Sequence, residues 1–316
     1  MPTVFVTDYS FANLDPERSV LGPTGCAIHH AQCKTAAEVI AGGRDADVLM
    51  VQWAPITAEV LDALPKCQLI VRYGIGVDNV DLKAAKARGI PVCNVPDYAI
   101  DEVADHAVAM ALALGRQLPQ LDRRLRTGVW KLAPITPMPA FREMTFAVAG
   151  FGRIGRAVLE RARAFKFRLA AYDPFVKAEQ FAAADVRPMS IENLFAEADV
   201  ISLHMPLNEQ TRHMVSAARL AEMKPTSILI NTARGGLIDT IALASALRQK
   251  SIGYAGIDVF ETEPLPADHP LLQCDNALLT SHMAWHSQQS LSRLQQMAAE
   301  ETARFLRAEP LQNQVN

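Results

Sequence analysis

Short apolar runs separated by helical patterns fill the first hundred residues of the chain. The runs are TVFVTD (3–8), DVLMVQW (47–53), LIVRYG (69–74) and IPVCNVP (90–96). Short apolar strands that alternate with helices are typical of a parallel sheet covered on both faces. This part of the chain is therefore predicted to form one α/β domain.

A second alternation of strands and helices begins near residue 145. The runs predicted to be strands are TFAVAG (145–150), RLAAYDP (168–174), DVISLHMP (199–206), SILINTAR (227–234), GIDVF (256–260) and ALLTSH (277–282). A plausible helix precedes each of them, which predicts a six-stranded, doubly wound parallel sheet. The predicted fold class is α/β, with two parallel sheets.

Two segments outside the predicted strands also carry structural information. Residues 100–130 are apolar almost all round the helical period, and Asp101 could cap the resulting helix. A helix of this kind is expected to be buried between domains or subunits. The proline-rich segment 132–141 predicts a loop, and 290–309 predicts a final amphipathic helix.

Composition excludes several classes of protein. A chain of 316 residues usually forms two domains, and a net charge of -3 offers no basic surface for nucleic acid. The N-terminal residues lack a secretory signal, and the longest apolar run is too short to span a membrane. Five scattered cysteines without a CxxC pair indicate buried side chains in a reducing cytoplasm, and the histidine spacing predicts no metal site.

A glycine motif follows the strand TFAVAG and precedes a helical pattern. Gly150 permits a tight turn, Gly152 lets the backbone approach a pyrophosphate, and Gly155 lets the helix pack on the strand. Asp173 ends the next strand, where its carboxylate would bind both ribose hydroxyls and repel a 2'-phosphate. The motif predicts NAD in preference to NADP. The alternative is that these glycines are ordinary turn residues and Asp173 a turn former before Pro174.

Three chemically complementary side chains follow three of the predicted strands. Arg234, Glu263 and His282 would meet at one edge, because ligands bind beyond the carboxyl ends of strands in doubly wound sheets. A cation that polarises a carbonyl, an imidazole that donates a proton and a carboxylate that orients it are suited to carbonyl reduction. Gly235 and Gly236 would leave space for a substrate. Taken singly, each charged side chain could instead be structural.

These residues lie in motifs that resemble one known family. The motifs are RYGIGVDNVDL, CNVPDYAIDEVADHA, GFGRIG, LHMPLNEQTRHMV, INTARGGLID, GIDVFETEP and SHMAWHS. Their content and order resemble the D-isomer-specific 2-hydroxyacid dehydrogenases over nearly the whole chain. The likeness is greatest to the branch of the C-terminal-binding proteins and phosphoglycerate dehydrogenase.

The resemblance implies a role for each motif residue. Arg234 would bind the substrate carboxylate and keto oxygen, His282 would donate the proton, and Glu263 would be its partner. Further substrate contacts are implied for Tyr73, Gly74, Ile75, Gly76 and Trp285. The implied cofactor-binding residues are Gly150, Gly152, Arg153, Ile154, Gly155, Asp173, His204, Met205, Pro206, Thr211, Thr232, Ala233, Arg234, Asp258 and His282.

Within that set, the resemblance implies that Asp258 lies by the nicotinamide carboxamide, and that His204 to Pro206 with Thr211 line the adenosine side. Ser281 departs from the family pattern, in which proline often precedes the histidine. The departure removes no catalytic atom, but it puts the rigidity of the His282 loop in question.

The resemblance also implies the domain organisation. Residues 1–99 and 286–316 would form a discontinuous, flavodoxin-like substrate domain, and residues 100–285 a Rossmann NAD-binding domain, with a cleft between the two. The nearly all-apolar helix at 103–115 and the proline-rich segment after it suggest a homodimer built on the Rossmann domain, which the resemblance also implies. No regulatory domain is expected after residue 316.

The expected activity is NAD-dependent interconversion of a small 2-keto acid and its D-2-hydroxy acid. An alternative is an NAD(H)-sensing interaction protein of the C-terminal-binding-protein type, in which nucleotide binding drives assembly. The three motif side chains do not separate these functions, and the sequence does not name the substrate.

Overall fold

The computed structural model describes all 316 residues and contains two compact units. The first unit is Met1–Ala99 together with His286–Asn316, and the second is Ile100–Trp285. Each unit contains one sheet in which every strand pairing is parallel, with five strands in the first unit and seven in the second. The α/β fold class predicted from the sequence is therefore confirmed.

Strands and helices alternate along most of the chain. The strands are β1 (Thr3–Val6), β2 (Ala27–His30), β3 (Val48–Val51), β4 (Leu69–Arg72), β5 (Val92–Cys93), β6 (Thr145–Ala149), β7 (Arg168–Tyr172), β8 (Arg187–Pro188), β9 (Val200–Leu203), β10 (Ile228–Asn231), β11 (Tyr254–Ile257) and β12 (Ala277–Leu279). The α-helices are α1 (Asp15–Leu21), α2 (Ala36–Gly43), α3 (Ala58–Ala63), α4 (Leu82–Ala87), α5 (Ile100–Gly115), α6 (Leu118–Arg126), α7 (Arg153–Ala164), α8 (Ala178–Ala183), α9 (Ile191–Glu197), α10 (Ala217–Glu222), α11 (Thr240–Gln249) and α12 (Gln288–Leu306). None of these helices has both the length and the apolar character that crossing a bilayer requires.

The sheet of the first unit has the strand order β2-β1-β3-β4-β5. The edge strand β2 was missed by the sequence analysis because two of its four residues, His29 and His30, are exposed histidines. Helix α12 packs against α1 and β4 in this unit. Its N-cap is Ser287, whose hydroxyl accepts a hydrogen bond from the Ser290 amide at 2.9 Å.

The sheet of the second unit has the order β12-β11-β10-β9-β6-β7-β8. Strand order reverses between β9 and β6, and the carboxyl ends of strands at such a switch point are where doubly wound sheets bind ligands. Strands β10, β11 and β12 are neighbours, as the site prediction required. The sequence predicted six strands here, and β8 was not among them because that strand is two exposed residues long.

The apolar segment 100–130 forms two helices rather than one. The chain breaks between α5 and α6 at Gln117, which has a left-handed φ of 55°. Helix α5 packs against α7, β10 and β11 inside the second unit, which covers much of its apolar surface. Its burial between domains or subunits stays a prediction. Asp101 lies within the first turn of α5, and its carboxylate pairs with Arg161 at 2.7 Å.

Exposed apolar residues of the second unit concentrate after α5 instead. Trp130 is 78% exposed and Leu132 is 92% exposed, which is unusual for side chains of this size. The exposed apolar segment consists of Leu118, Leu125, Val129, Trp130, Leu132 and Ile135. The proline-rich part of this segment forms no helix or strand up to residue 140, as predicted.

Candidate active site

The turn after β6 brings the glycine motif against the neighbouring strand end. Gly150 has a φ of +100°, and a Cβ there would lie 2.6 Å from the carbonyl oxygen of His204. A Cβ on Gly155 would lie 2.1 Å from the carbonyl oxygen of Gly150, so both positions need glycine on steric grounds. A Cβ on Gly152 would meet nothing within 4 Å. Gly152 therefore faces open space at the start of α7.

Asp173 follows β7 and is joined to this turn. Its Oδ2 accepts a hydrogen bond from the Phe151 amide at 2.8 Å, and its Oδ1 accepts one from the Phe175 amide at 3.0 Å. The second bond is a local turn contact, as the alternative interpretation expected. The first bond joins the end of β7 to the glycine turn, so the carboxylate lies beside the backbone to which the NAD interpretation assigns the pyrophosphate.

The segment after β9 completes this edge of the sheet. The His204 amide donates to the carbonyl of Ala149 at 2.7 Å, and its Nε2 lies 2.8 Å from the Ser202 hydroxyl. Burial lowers the pKa of His204 to about 3, so this imidazole is neutral. Thr211 donates its hydroxyl to the carbonyl of Pro206 at 2.6 Å and thereby closes the loop that follows His204.

The loop after β10 carries Arg234. Buried Asn231 fixes the start of this loop, because its amide nitrogen donates to the Arg234 carbonyl at 2.9 Å and its oxygen accepts from the Ala233 amide at 3.1 Å. The hydroxyl of Thr232 is buried without a hydrogen-bond partner. Asn231 was missed by the sequence analysis, although its position at the strand end was the available signal.

His282 and Glu263 form a direct pair. The Nδ1 of His282 lies 2.7 Å from Oε2 of Glu263, and Oε1 of Glu263 accepts a hydrogen bond from the Phe260 amide at 2.8 Å. Burial acts to raise the pKa of Glu263. The hydrogen bond and charge of His282, the Phe260 amide and the charge of Arg234 outweigh it and lower that pKa. Glu263 therefore faces His282 as a carboxylate.

The His282 loop is fixed by Asp258, the residue after β11. The side chain of Asp258 is buried, and it accepts hydrogen bonds from the Met283 and Ala284 amides, each at 2.9 Å. Its backbone carbonyl accepts a bond from the His282 amide at 2.7 Å. The indole nitrogen of Trp285 donates to the His282 carbonyl at 2.8 Å. These contacts hold His282 at its left-handed φ of 57° despite Ser281 in the family's proline position.

Two further side chains, Thr280 and His106, form a hydrogen-bonded chain to Asp258. The Thr280 hydroxyl donates to Asp258 Oδ1, and Nε2 of His106 lies 3.0 Å from the same hydroxyl. His106 belongs to α5, and its ring nitrogen is 3.8 Å from Asp258 Oδ1. The predicted contact of Asp258 with a nicotinamide carboxamide stays a prediction, whereas the role of Asp258 in ordering the His282 loop was missed.

The first unit contains the remaining predicted substrate residues. Gly74 has a φ of +133°, and the side-chain amide of Asn94 donates to the Ile75 carbonyl at 2.7 Å. Tyr73 is buried, and its hydroxyl donates to Glu17 at 2.9 Å. The phenol is therefore engaged within the unit and the glycine-rich loop after it is well anchored.

Burial dominates the acid–base chemistry around Tyr73. It raises the pKa of Glu17 and, together with the Glu17 charge, raises the pKa of Tyr73 well above its ordinary value. The side-chain amide of Gln295 also donates to Glu17 Oε2 at 2.9 Å. This buried acid and its partners were missed because nothing in the local sequence marks Glu17 as buried.

A glycine turn bonded to an acid at the next strand end, and an imidazole–carboxylate pair near a guanidinium, are features of nicotinamide-dependent dehydrogenases. Comparison with known proteins gives the family. Residues 108–284 match the model of the "D-isomer specific 2-hydroxyacid dehydrogenase, NAD binding domain". The chain belongs to the D-isomer-specific 2-hydroxyacid dehydrogenase family and is an NAD-dependent enzyme.

Individual relatives agree with this assignment. The chain is 40% identical to a glyoxylate reductase of Korarchaeum cryptofilum over 277 residues, which cover 86% of this chain and 83% of the relative. It is 39% identical to a D-3-phosphoglycerate dehydrogenase of Mycobacterium leprae over 280 residues, 88% of this chain and 53% of the relative. The chain thus spans about half the length of that dehydrogenase.

A solved structure shows the same likeness in three dimensions. The D-lactate dehydrogenase of Aquifex aeolicus, complexed with NAD and lactic acid, has a TM-score of 0.88 and 29% identity. The match covers 97% of this chain and 96% of that one.

Proposed function

We propose that the protein reduces a small 2-keto acid to its D-2-hydroxy acid with NADH, and catalyses the reverse oxidation. The observation that carries the proposal is the 2.7 Å contact of His282 with Glu263, on strand ends adjacent to the one that carries Arg234. An imidazole held against a carboxylate is a general acid that can protonate a carbonyl oxygen.

The nucleotide-binding residues fit NAD on steric and polar grounds. The open space at Gly152 admits a pyrophosphate, and the amides at the start of α7 can bind its oxygens. The buried, unpartnered Thr232 hydroxyl offers a polar group near the end of β10. Asp173 would hold the adenine ribose. Arg153, Ile154, Met205 and Ala233 complete the proposed cofactor site, and bound NADH supplies the hydride.

Each charged side chain then has one proposed task. Arg234 binds the substrate carboxylate and polarises the keto group, so that its positive charge stabilises the developing oxyanion. Protonated His282 donates its Nε2 proton to that oxygen, while Glu263 bound at Nδ1 holds the ring and favours its protonated form. Asp258 and Trp285 keep the His282 backbone in place, and Trp285 would also contact the substrate.

The first unit is proposed to bind substrate through the backbone amides of Gly74, Ile75 and Gly76. The family likeness supports this role, and the hydrogen bond from Asn94 to the Ile75 carbonyl keeps the loop ordered. The hydroxyl of Tyr73 is held by Glu17, so we propose that Tyr73 contributes by anchoring this loop.

We also propose that the protein is a cytoplasmic homodimer. The exposed apolar segment supports dimerisation, because a monomer rarely presents so many large apolar side chains in one short stretch of chain. All five cysteines are unpaired, which supports a reducing compartment.

Steady-state reduction of a panel of 2-keto acids tests the proposed activity. The panel contains glyoxylate, hydroxypyruvate, pyruvate, and branched and aromatic keto acids, each with NADH and with NADPH. Glyoxylate is the first candidate, because a relative at 40% identity is named a glyoxylate reductase. Tight NADH binding and nucleotide-dependent assembly without turnover on any substrate would instead favour the NAD-sensing interaction protein.

A further inference from the structure

A polar network in the second unit lies near the proposed catalytic side chains in the chain and has no role in the function proposed above. Its centre is Glu261. The Oε1 atom of Glu261 lies 2.5 Å from Nε2 of His213, and Oε2 accepts hydrogen bonds from the Thr240 hydroxyl at 2.6 Å and the Thr240 amide at 3.1 Å. Nε2 of His269 lies 3.3 Å from the same hydroxyl. Both carboxylate oxygens of Glu261 are therefore engaged.

Glu261 and its two partners belong to three separate segments of the chain. Thr240 is the first residue of α11, after the loop that begins with Arg234, and Glu261 lies two residues before Glu263. His213 belongs to the segment before α10, and its backbone amide donates to the Gly236 carbonyl at 2.8 Å. The Glu261 carboxylate thus connects the loop that carries Arg234 to the loop that carries Glu263.

The same two loops touch through their backbones. A Cβ on Gly235 would lie 1.9 Å from the carbonyl carbon of Phe260 and 2.5 Å from the amide nitrogen of Glu261. A Cβ on Gly236 would lie 2.9 Å from the Leu207 side chain. The prediction that these glycines leave space for a substrate is therefore wrong, since they permit close packing of the loops. This contact joins the Arg234 loop to the segment that leads into Glu263.

Glu261 accepts the first amide of α11 in addition to the N-cap residue of that helix. The N-cap of α11 is Asp239, whose carboxylate accepts a hydrogen bond from the Ala242 amide at 2.9 Å. The bonds from Glu261 to Thr240 are additional to that cap, and they lead to another loop rather than along the helix.

We propose that Glu261 is a positioning residue of the reductase, which holds the Arg234 loop and the Glu263 loop in register through Thr240 and His213. The proposal rests on the function proposed above. Glu261 touches neither substrate nor cofactor in this scheme, and it acts by setting the distance between the guanidinium and the imidazole–carboxylate pair. Small displacements of such groups are costly, because about 1 Å of misplacement can lower a rate about a hundredfold.

The test compares Glu261→Ala with Glu261→Gln in the full-length protein. Each variant is assayed with the best keto acid of the panel, with the active-site concentration determined by NADH titration. Glu261→Ala should lower kcat/KM per active site by about tenfold or more, with the Kd for NADH within about twofold of wild type. Glu261→Gln should recover most of the loss, because the amide oxygen can still accept both bonds from Thr240.

Two further variants keep the result interpretable. Glu197→Ala removes an exposed carboxylate of the same unit that pairs with Arg187 at 3.0 Å, and it should leave the kinetics unchanged. Thr240→Val deletes the hydroxyl donor alone and should lower kcat/KM by about threefold or more even if Glu261→Ala fails to fold.

The outcomes separate the two proposals. If Glu261→Ala has wild-type kcat and KM per active site and only yields less folded protein, the positioning role is overturned. The proposed reductase activity is unaffected by that result. The same holds if Glu261→Gln is as impaired as the alanine variant, or if Thr240→Val has wild-type kinetics. No turnover by the wild-type protein on any keto acid overturns both.

Discussion

Replacing Glu263 with glutamine removes the charge that faces His282 and keeps the size of the side chain. The Phe260 amide donates to Oε1 of Glu263, so the glutamine oxygen should keep that place and turn its NH₂ group toward Nδ1 of His282. An NH₂ group is a donor, and it can pair with Nδ1 of His282 only when that nitrogen carries no proton.

The expected size of the effect follows from the contact. Unit charges about 4 Å apart interact by about 1 kcal/mol in water and about 4 kcal/mol at an effective dielectric constant of about 20. The side chains of His282 and Glu263 are 26% and 35% exposed, so solvent screens part of the interaction and about 1–2 kcal/mol is expected. This energy corresponds to about one pH unit.

Reduction requires the protonated imidazole, so its rate falls as pH rises. The pKa of Glu263 is lowered, and this carboxylate is therefore ionised throughout the range in which the rate falls. In Glu263→Gln the alkaline fall in kcat/KM for reduction should move to lower pH by about one unit. Oxidation requires the neutral imidazole and should gain activity at lower pH than the wild type.

The assay is the pH profile of kcat/KM for reduction, with NADH saturating. Glu222→Gln removes an exposed carboxylate that pairs with Arg219 and should leave the profile unmoved. His282→Ala should lower kcat by about a hundredfold with nearly unchanged NADH affinity. An unshifted profile in Glu263→Gln, together with near-normal turnover in His282→Ala, would refute the acid–base assignment.

Four other outcomes can be measured independently. The wild type is expected to have a kcat/KM about a hundredfold higher with NADH than with NADPH, and Asp173→Asn should reduce this ratio. Equal kcat/KM values of the wild type with the two cofactors would contradict the proposed binding of the ribose by Asp173. Trp130→Glu should convert the dimer to a monomer, which lowers the sedimentation coefficient. An unchanged coefficient would show that the exposed apolar segment is not the dimer interface. Thr280→Val removes a donor to Asp258 and should lower kcat several-fold with unchanged NADH affinity, so wild-type kcat would exclude this support of the His282 loop. Burial raises the pKa of Glu17, so the stability that its protonated form contributes is complete below the ordinary pKa and is lost as pH rises through the raised pKa. Between pH 5 and pH 8 the free energy of unfolding in urea should therefore fall less in Glu17→Gln than in the wild type.

Features set by neighbouring residues could be read from the chain. The glycine turn needs a strand, three glycines at fixed spacing and a helix, and all of these lie within Thr145–Ala164. Placing Arg234, Glu263 and His282 at one edge needed only the rule that parallel strands present their carboxyl ends together. Of the four edge strands, β2 and β8 were missed, because their short and largely exposed sequences contain no apolar run.

Contacts between residues distant in the chain were decided by the tertiary structure. The sequence marks Gly235 as a turn residue, but only folding shows that the backbone of Phe260 fills the space beside it. The burial of helix α5 within its own unit and the exposure of Trp130 depend on which surfaces the other elements cover. The link from Glu261 to His213 crosses 48 residues of chain. A polar side chain shows its type in the sequence, whereas its partner is fixed by packing of the whole unit, which no local pattern encodes.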